Sequence, residues 1–189
     1  MNVTVRPLGP QDATLFTGYL SGLEFGHSPH WATCFCRYYF REGTAEEWQA
    51  RSGDENRAEA ESEIAAGRMK GYLAFDGDVC IGWCNANALD DLPRLRESAD
   101  RHAGGKRLGC TICFVIRPDR RGQGVARALL RTAVEDFRKA GYDGMLAFPF
   151  ESPDAPQRRY RGTRSMFAEL GYVAVATEGP VTTMRLLFG

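Results

Sequence analysis

Between Arg117 and Leu130 the chain reads RPDRRGQGVARALL, which sets two glycines and four arginines at the junction of an apolar run and an amphipathic one. Glycine weakens a helix and clustered arginines repel one another, so the junction has a use for exposed backbone N–H groups together with positive charge. A strand that feeds through a glycine turn into a helix leaves the first helical N–H groups without intrahelical partners, at the positive end of the helix dipole. Phosphate or pyrophosphate is the natural occupant of such a cradle. Gly122 and Gly124 let the backbone curl round an anion with no Cβ in the way, and Arg121 and Arg127 can add charge from the side. A plain strand-to-helix turn with solvated arginines is the competing reading. Two common phosphate loops are excluded by the letters themselves. No G-x-x-x-x-G-K-[ST] string occurs, and Gly122-Gln123-Gly124 lacks the third glycine of a dinucleotide fingerprint because Arg127 stands in its place.

The elements that must position this loop follow from periodicity. LGCTICFVI, just before it, is apolar on both alternations and predicts a central strand covered on both faces. Just after it, Ala126, Leu129, Leu130, Ala133, Phe137 and Ala140 recur at helical spacing, and Gly141 ends the helix. NVTVRPL predicts an opening strand, and residues 12–23 a helix with Leu15, Tyr19 and Leu23 on one face. Thr44 with Glu47 predicts a capping box, and a further helix is expected over 56–66, capped by Asp54 or Asn56 and ended by Gly67. MKGYLAFDGDVCIGWCNA predicts a hairpin turning at Asp76-Gly77-Asp78. LDDLPRLRESADRHAGGKR reads as a polar excursion, DGMLAFPF as a strand, RSMFAELGY as a short helix and TTMRLLF as a closing strand. The order is α+β, a mixed α/β arrangement with hairpins in place of regular βαβ alternation.

Charge and composition narrow the functional class. Lys plus Arg and Asp plus Glu both number 24, so the basic excess of a nucleic-acid-binding domain is missing. The start, MNVTVRPLGP, has no apolar core of the secretory kind, and no apolar run approaches the roughly 20 residues of a membrane helix. A cytoplasmic protein with neither nucleic acid nor membrane as partner is expected, with residues 1–189 as a single domain. The six cysteines fall in three close pairs, Cys34/Cys36, Cys80/Cys84 and Cys110/Cys113. Outside a secreted context they read as thiols, and their strand-like or helix-like surroundings argue against a zinc hook, so no metal is expected.

The pattern R/Q-x-x-G-x-G/A is met by Arg121, Gly124 and Ala126. The wider run FVIRPDRRGQGVARALL resembles the acyl-CoA-binding core of the GNAT N-acetyltransferase superfamily, with Ile116 and Pro118 at the places of its V-x-P. The order of elements follows that family over most of the chain. The resemblance implies a GNAT-like fold, a central, mostly antiparallel, splayed sheet flanked by helices, with acetyl-CoA as cosubstrate. It implies that the CoA pyrophosphate sits on Arg121, Gly122, Gln123, Gly124, Val125, Ala126 and Arg127. The pantetheine arm would then pair with the motif strand at Phe114, Val115 and Ile116, where a bulge opens the sheet and aims an N–H at the thioester oxygen.

The resemblance breaks at the acid and base. Where many members carry a Glu on the motif strand this chain has Cys110, and Phe167 stands at the place of the usual Tyr acid, in FAELGY. Tyr160 replaces an Asn seven residues earlier and is the candidate to supply the missing hydroxyl, beside its reading as a hydrogen-bonded surface Tyr. Glu24 and His27 lead the candidates for a base, ahead of His30, Glu151 and Asp154, though each also reads as a loop residue with no role. Trp31, Phe35, Tyr38 and Tyr39 could form an acceptor pocket or simply core, with Cys34 and Cys36 beside them. Asn56 and Arg57 could line its mouth. Trp83 and Asn85 share one face of the second hairpin strand, one of them towards substrate.

Acetyl transfer from acetyl-CoA to a primary amine, by direct attack in a ternary complex, is the leading reading. The neutral charge and aromatic-rich segment favour a small-molecule acceptor over a basic protein tail, and a homodimer is left open. A non-catalytic acyl-CoA sensor on the same fold is the alternative, favoured by the missing Glu and Tyr. A cysteine-based metal or redox protein stands third.

Overall fold

The strand that reads LGCTICFVI takes the middle of a seven-stranded sheet. The structure is a computed structural model that describes residues 2–23, 25, 31–152 and 160–189. Its elements are β1 (Val3–Pro7), α1 (Ala13–Ser21), α2 (Ala45–Gln49), α3 (Gly53–Ala65), β2 (Tyr72–Asp76), β3 (Val79–Ala88), α4 (Arg96–His102), β4 (Leu108–Ile116), α5 (Val125–Lys139), β5 (Gly144–Ala147), α6 (Arg164–Ala168), β6 (Val173–Glu178) and β7 (Val181–Leu187). The strands lie in the order β1-β2-β3-β4-β5-β7-β6. Every neighbouring pair is antiparallel except β4 with β5.

Two irregularities in β4 shape everything that follows. It pairs with β5 only from Leu108 to Thr111, while on its other edge it stays paired with β3 as far as Ile116. The sheet therefore splits along the second half of β4. Asn85 pairs with Cys113 and Ala86 with Thr111, which leaves Ile112 as an extra, bulged residue. An inserted residue reverses the inside–outside alternation of a strand. Before the bulge the odd residues face α5, since a Cβ at Gly109 would come within 2.5 Å of Phe137. After it the even residues Phe114 and Ile116 join the α5 cluster and Val115 turns to the opposite face. That reversal explains why the run is apolar on both alternations.

The two faces carry separate cores. Leu129, Leu130, Ala133 and Phe137 of α5 pack with Phe114, Met145 and Phe167 on one side. On the other, Phe16 of α1 and Ile64 of α3 pack on Leu73, Trp83 and Val115, with Phe16 edge-on to Trp83 at 4.8 Å. A third cluster, around Leu92, Cys110, Ile112 and Phe148, closes the end of the sheet where β4 and β5 are joined.

Local signals set most boundaries, and the departures have causes. The Thr44/Glu47 capping box forms and starts α2. Neither Asp54 nor Asn56 caps α3; a Ser52/Glu55 box starts it at Gly53 instead, and Asn56 is drawn inside. In α1 the buried face is Phe16, Thr17 and Leu20, with Leu15 left 38% exposed, because the helix rolls to set Phe16 on Trp83. The hairpin turn is Gly77-Asp78, since Asp76 still pairs with Val79. Ala140 caps α5 in the open instead of packing. The polar excursion contains α4, and VATE with its neighbours forms an edge strand, β6, that shows no alternating burial and has Val173 60% exposed. No helix among the described residues is long and apolar enough to cross a membrane.

Candidate active site

The loop after β4 builds a groove of about 430 Å³ between the N-terminus of α5 and the start of α6. Gly124 is the N-cap of α5 at φ 85°, and Gly122 lies at φ 72°. Both are left-handed conformations in which a side chain is strained, so the turn into the helix requires glycine. Of the residues the sequence assigns to CoA, Phe114, Ile116, Arg121, Gly122 and Gly124 line the groove, as do Val125, Ala126 and Arg127. Gln123 points back, its Nε2 donating to the Asp119 carbonyl at 2.9 Å, and the Val115 side chain belongs to the other face.

The four arginines of the loop are not equivalent. Arg117 pairs with Asp119 at 3.0 Å, Arg120 with Asp76 at 3.0 Å and Arg127 with Glu169 at 2.8 Å. Arg121 instead donates from Nε to the Ile116 carbonyl at 3.2 Å, and among the described residues no carboxylate pairs with it. Uncommitted charge at the groove therefore sits on Arg121 and on the first amides of α5. Arg120, also on the groove wall, had no distinguishing mark in the sequence beyond its place in the arginine run.

On the opposite face a second cavity, of about 380 Å³, opens beside the split. Trp31, Phe35, Tyr38, Tyr39 and Trp48 supply its aromatic wall, and Cys34, Cys36, Cys113, Val115 and Arg161 its remaining chemistry. Tyr160 lines both cavities. It is buried, stands edge-on to Trp31 at 4.7 Å, and its carbonyl accepts the Phe114 N–H at 2.7 Å across the gap that β5 has left. The reversed alternation of β4 thus gives each cavity its own residues, Phe114 and Ile116 to the groove, Cys113 and Val115 to the aromatic chamber.

A strained turn holds the chamber wall. Phe35 and Cys36 both have positive φ, 43° and 54°, although neither is glycine. The turn is fixed from three sides. Trp83 donates from Nε1 to Cys36 Sγ at 3.2 Å, and Asn56 donates from Nδ2 to the Thr33 carbonyl at 3.0 Å. Glu59 of α3 gathers Arg37 at 2.8 Å, Arg41 at 2.9 Å and Arg51. Burial works against the Glu59 charge, but hydrogen bonds from Arg37 and Arg41 outweigh it and hold the carboxyl below its ordinary range.

The thiols divide sharply. Burial pushes Cys34 up to about 11 and Cys110 higher still. Cys110, at the family's Glu position, is fully buried in the third cluster and reaches neither cavity. Cys113 is drawn below its ordinary value, first by a hydrogen bond from Cys36 and, against desolvation, by the positive charge of Arg161, while the same contact and burial push Cys36 well up. Sequence reading passed over Cys113 as a buried thiol. The bulge that the resemblance implies falls at Ile112, a position no letter of the run marks, and it turns Cys113 into the chamber.

Other candidates fall elsewhere. Glu24, His27, His30 and Asp154 lie outside the described residues. Glu151 accepts from the Thr182 hydroxyl at 3.1 Å and lines neither cavity. Asn56 and Arg57 are not at the chamber mouth, since Asn56 is buried in the Thr33 and Arg51 contacts and Arg57 pairs with Glu61 at 3.2 Å. Trp83 supports Cys36 from behind, and Asn85 accepts from Asn87 Nδ2 at 2.7 Å, so neither side chain lines the chamber. All six cysteines are free thiols, and among the described residues no cluster of three His, Cys, Asp or Glu could hold a metal ion.

A family model, that of the acetyltransferase (GNAT) family, matches residues 30–172. No curated protein matches the chain. Solved structures share its fold at low identity. A GNAT-family acetyltransferase from Streptococcus pneumoniae is 17% identical, with TM-score 0.58 and 100% of both chains covered. The structure of yncA from Salmonella typhimurium with its cofactor acetyl-CoA is 18% identical, with TM-score 0.55, covering 100% of this chain and 95% of that one. A Drosophila melanogaster polyamine N-acetyltransferase that forms N-acetylagmatine is 13% identical, with TM-score 0.56, covering 99% of this chain and 100% of that one.

Proposed function

The chain belongs to the acetyltransferase (GNAT) family and is an acetyl-CoA-dependent N-acetyltransferase; from that premise we propose that it acetylates the primary amine of a small molecule, by direct attack with both substrates bound at once. One observation carries this reading. A groove walled by a glycine turn and a helix N-terminus and an aromatic chamber meet at Tyr160, on either side of a strand whose alternation serves both. The residues of the groove fit the donor. Its glycine turn and first α5 amides suit a pyrophosphate, with Arg121 as the free counter-charge. An extended arm along β4 would take the Phe114 N–H in exchange for the Tyr160 carbonyl.

In the chamber the amine must be neutral to attack, whereas an alkyl ammonium has a pKa of about 10.4 in water. Cys113, which lines the chamber and whose thiol is drawn below its ordinary value, is the proposed acceptor of its proton. Tyr160, bordering both cavities, is the proton donor for the departing thiolate. Most of the acceleration comes from holding the two reactants in contact where β4 and β5 part.

Initial rates with both substrates varied, read as CoA thiol release over a panel of small primary amines, test the proposal. Intersecting double-reciprocal lines and no acetyl adduct on the protein incubated with acetyl-CoA alone are expected. Parallel lines with an adduct on Cys113 would replace direct attack by a covalent route. Tight acetyl-CoA binding with no turnover of any amine would overturn the reading.

A further inference from the structure

Apart from the titrating thiol of Cys113, the described lining of the acceptor chamber carries one formal charge, and it is positive. Arg161 follows Tyr160 in the chain, so its Cα lies about 3.8 Å from that of the residue where the cavities meet. One arm of its guanidinium, Nη2, donates to the Tyr39 hydroxyl, and its Cζ lies 5.0 Å from the centre of the Tyr39 ring. Nη1, the other arm, is buried with no hydrogen-bond partner among the described residues. The half-buried guanidinium has no carboxylate beside it among the described lining residues, so its charge is open to an anion that enters the chamber. A carboxylate has the planar, two-oxygen shape that fits the guanidinium fork.

The rest of the chamber specifies the remainder of the ligand. Trp31, Phe35, Tyr38 and Trp48 offer an apolar, aromatic surface. At about 380 Å³ the chamber is at the small end of the roughly 300–1,000 Å³ typical of ligand pockets. The attacked carbonyl must reach the Tyr160 junction, so the acceptor's amine and its anion lie a short spacer apart. Building on the acetyl-transfer reading above, we propose that Arg161 reads a carboxylate on the acceptor, and that the acceptor is an amino acid with an apolar or aromatic side chain. A polycation would meet Arg161 as a like charge, with no carboxylate among the described lining residues to receive it.

The test compares phenylalanine, tryptophan and methionine with their carboxamides, with the corresponding amines lacking the carboxylate, and with spermidine, read as CoA thiol release. Wild-type enzyme should prefer each acid over its carboxamide by about 10- to 100-fold in kcat/KM, the worth of a charge-assisted hydrogen bond. Arg161→Gln should lower kcat/KM for the acids far more than for the carboxamides, collapsing the preference, with the KM for acetyl-CoA held. Arg161→Lys should keep part of it, as a charge without the fork. Should the glutamine variant not fold, the wild-type acid-to-carboxamide ratio decides alone. Acids no better than carboxamides, a preference that survives in R161Q, or spermidine as best acceptor would overturn the assignment and leave acetyl transfer to small amines standing. No thiol release with an amine of any class would overturn both.

Discussion

Two tight turns face the split between β4 and β5, and both use left-handed backbone. On the donor side the positions are Gly122 and Gly124, at φ 72° and 85°, where glycine adopts the conformation freely. On the acceptor side they are Phe35 and Cys36, at φ 43° and 54°, where each side chain costs about 1–2 kcal/mol. The donor turn is dictated by its own residues. The acceptor turn is imposed by contacts from elsewhere, namely Trp83 on Cys36, Asn56 on Thr33 and Glu59 on Arg37. On the proposed assignment, a common cosubstrate would be met by a self-sufficient loop, and a particular acceptor by a wall that the whole fold must hold in place.

Damage to one side should spare the other. The largest effect is expected from Gly124→Asp, which sets a charge and a strained side chain in the cradle. Calorimetry should show acetyl-CoA affinity at least about 100-fold weaker, with the circular dichroism of the folded protein retained. Wild-type affinity would break the comparison at its donor half.

Next comes Cys113→Ala, expected to lower kcat by about 10- to 100-fold. If the thiolate is the base, as proposed, wild-type rate should fall as pH drops through the lowered pKa of Cys113. In the variant that inflection should vanish and the rate should track the titration of the amine itself. An unchanged pH profile would remove Cys113 from the chemistry.

Glu59→Gln should be milder and fall on the acceptor side. A stability loss of about 2 kcal/mol is expected, less than the roughly 3–5 of a fully buried pair because Glu59 keeps some solvent. Acceptor KM should rise while acetyl-CoA affinity holds. The folded carboxyl sits below its ordinary 4.5, so its contribution is complete above that value and is lost as pH falls through the lowered one. Chemical denaturation across the acid range should therefore show a shallower pH dependence in E59Q than in wild type. The smallest effect is reserved for Arg127→Ala. Its charge is already offset by Glu169, so acetyl-CoA affinity should change by less than about threefold, against about tenfold for Arg121→Ala.

The same asymmetry governs what the sequence discloses. The loop from Arg121 to Arg127, the strand before it and the helix after it are legible because glycine, arginine and helical spacing act locally. The hairpin and the Thr44/Glu47 box are legible for the same reason. The chamber's aromatic residues could be named, but packing as core or as pocket is decided by distant partners. Arg161 is hidden in the arginine-rich QRRYRGTR, and nothing there separates a solvated cation from one that lines a cavity. Cys113 is hidden more deeply, since the resemblance implies a bulge in the strand but no residue says where it falls, and the phase beyond Ile112 depends on that. The edge strand β6 escaped because a strand with little burial on either face has no alternating pattern to show.

That one extra residue also makes β4 a two-channel ruler. Past Ile112, a change at an odd number alters the chamber and a change at an even number alters the groove, so on the proposed assignment either ligand's fit can drift without retuning the other. Excising a single residue there would exchange the two channels at once, trading Cys113 and Val115 for Phe114 and Ile116 across the sheet.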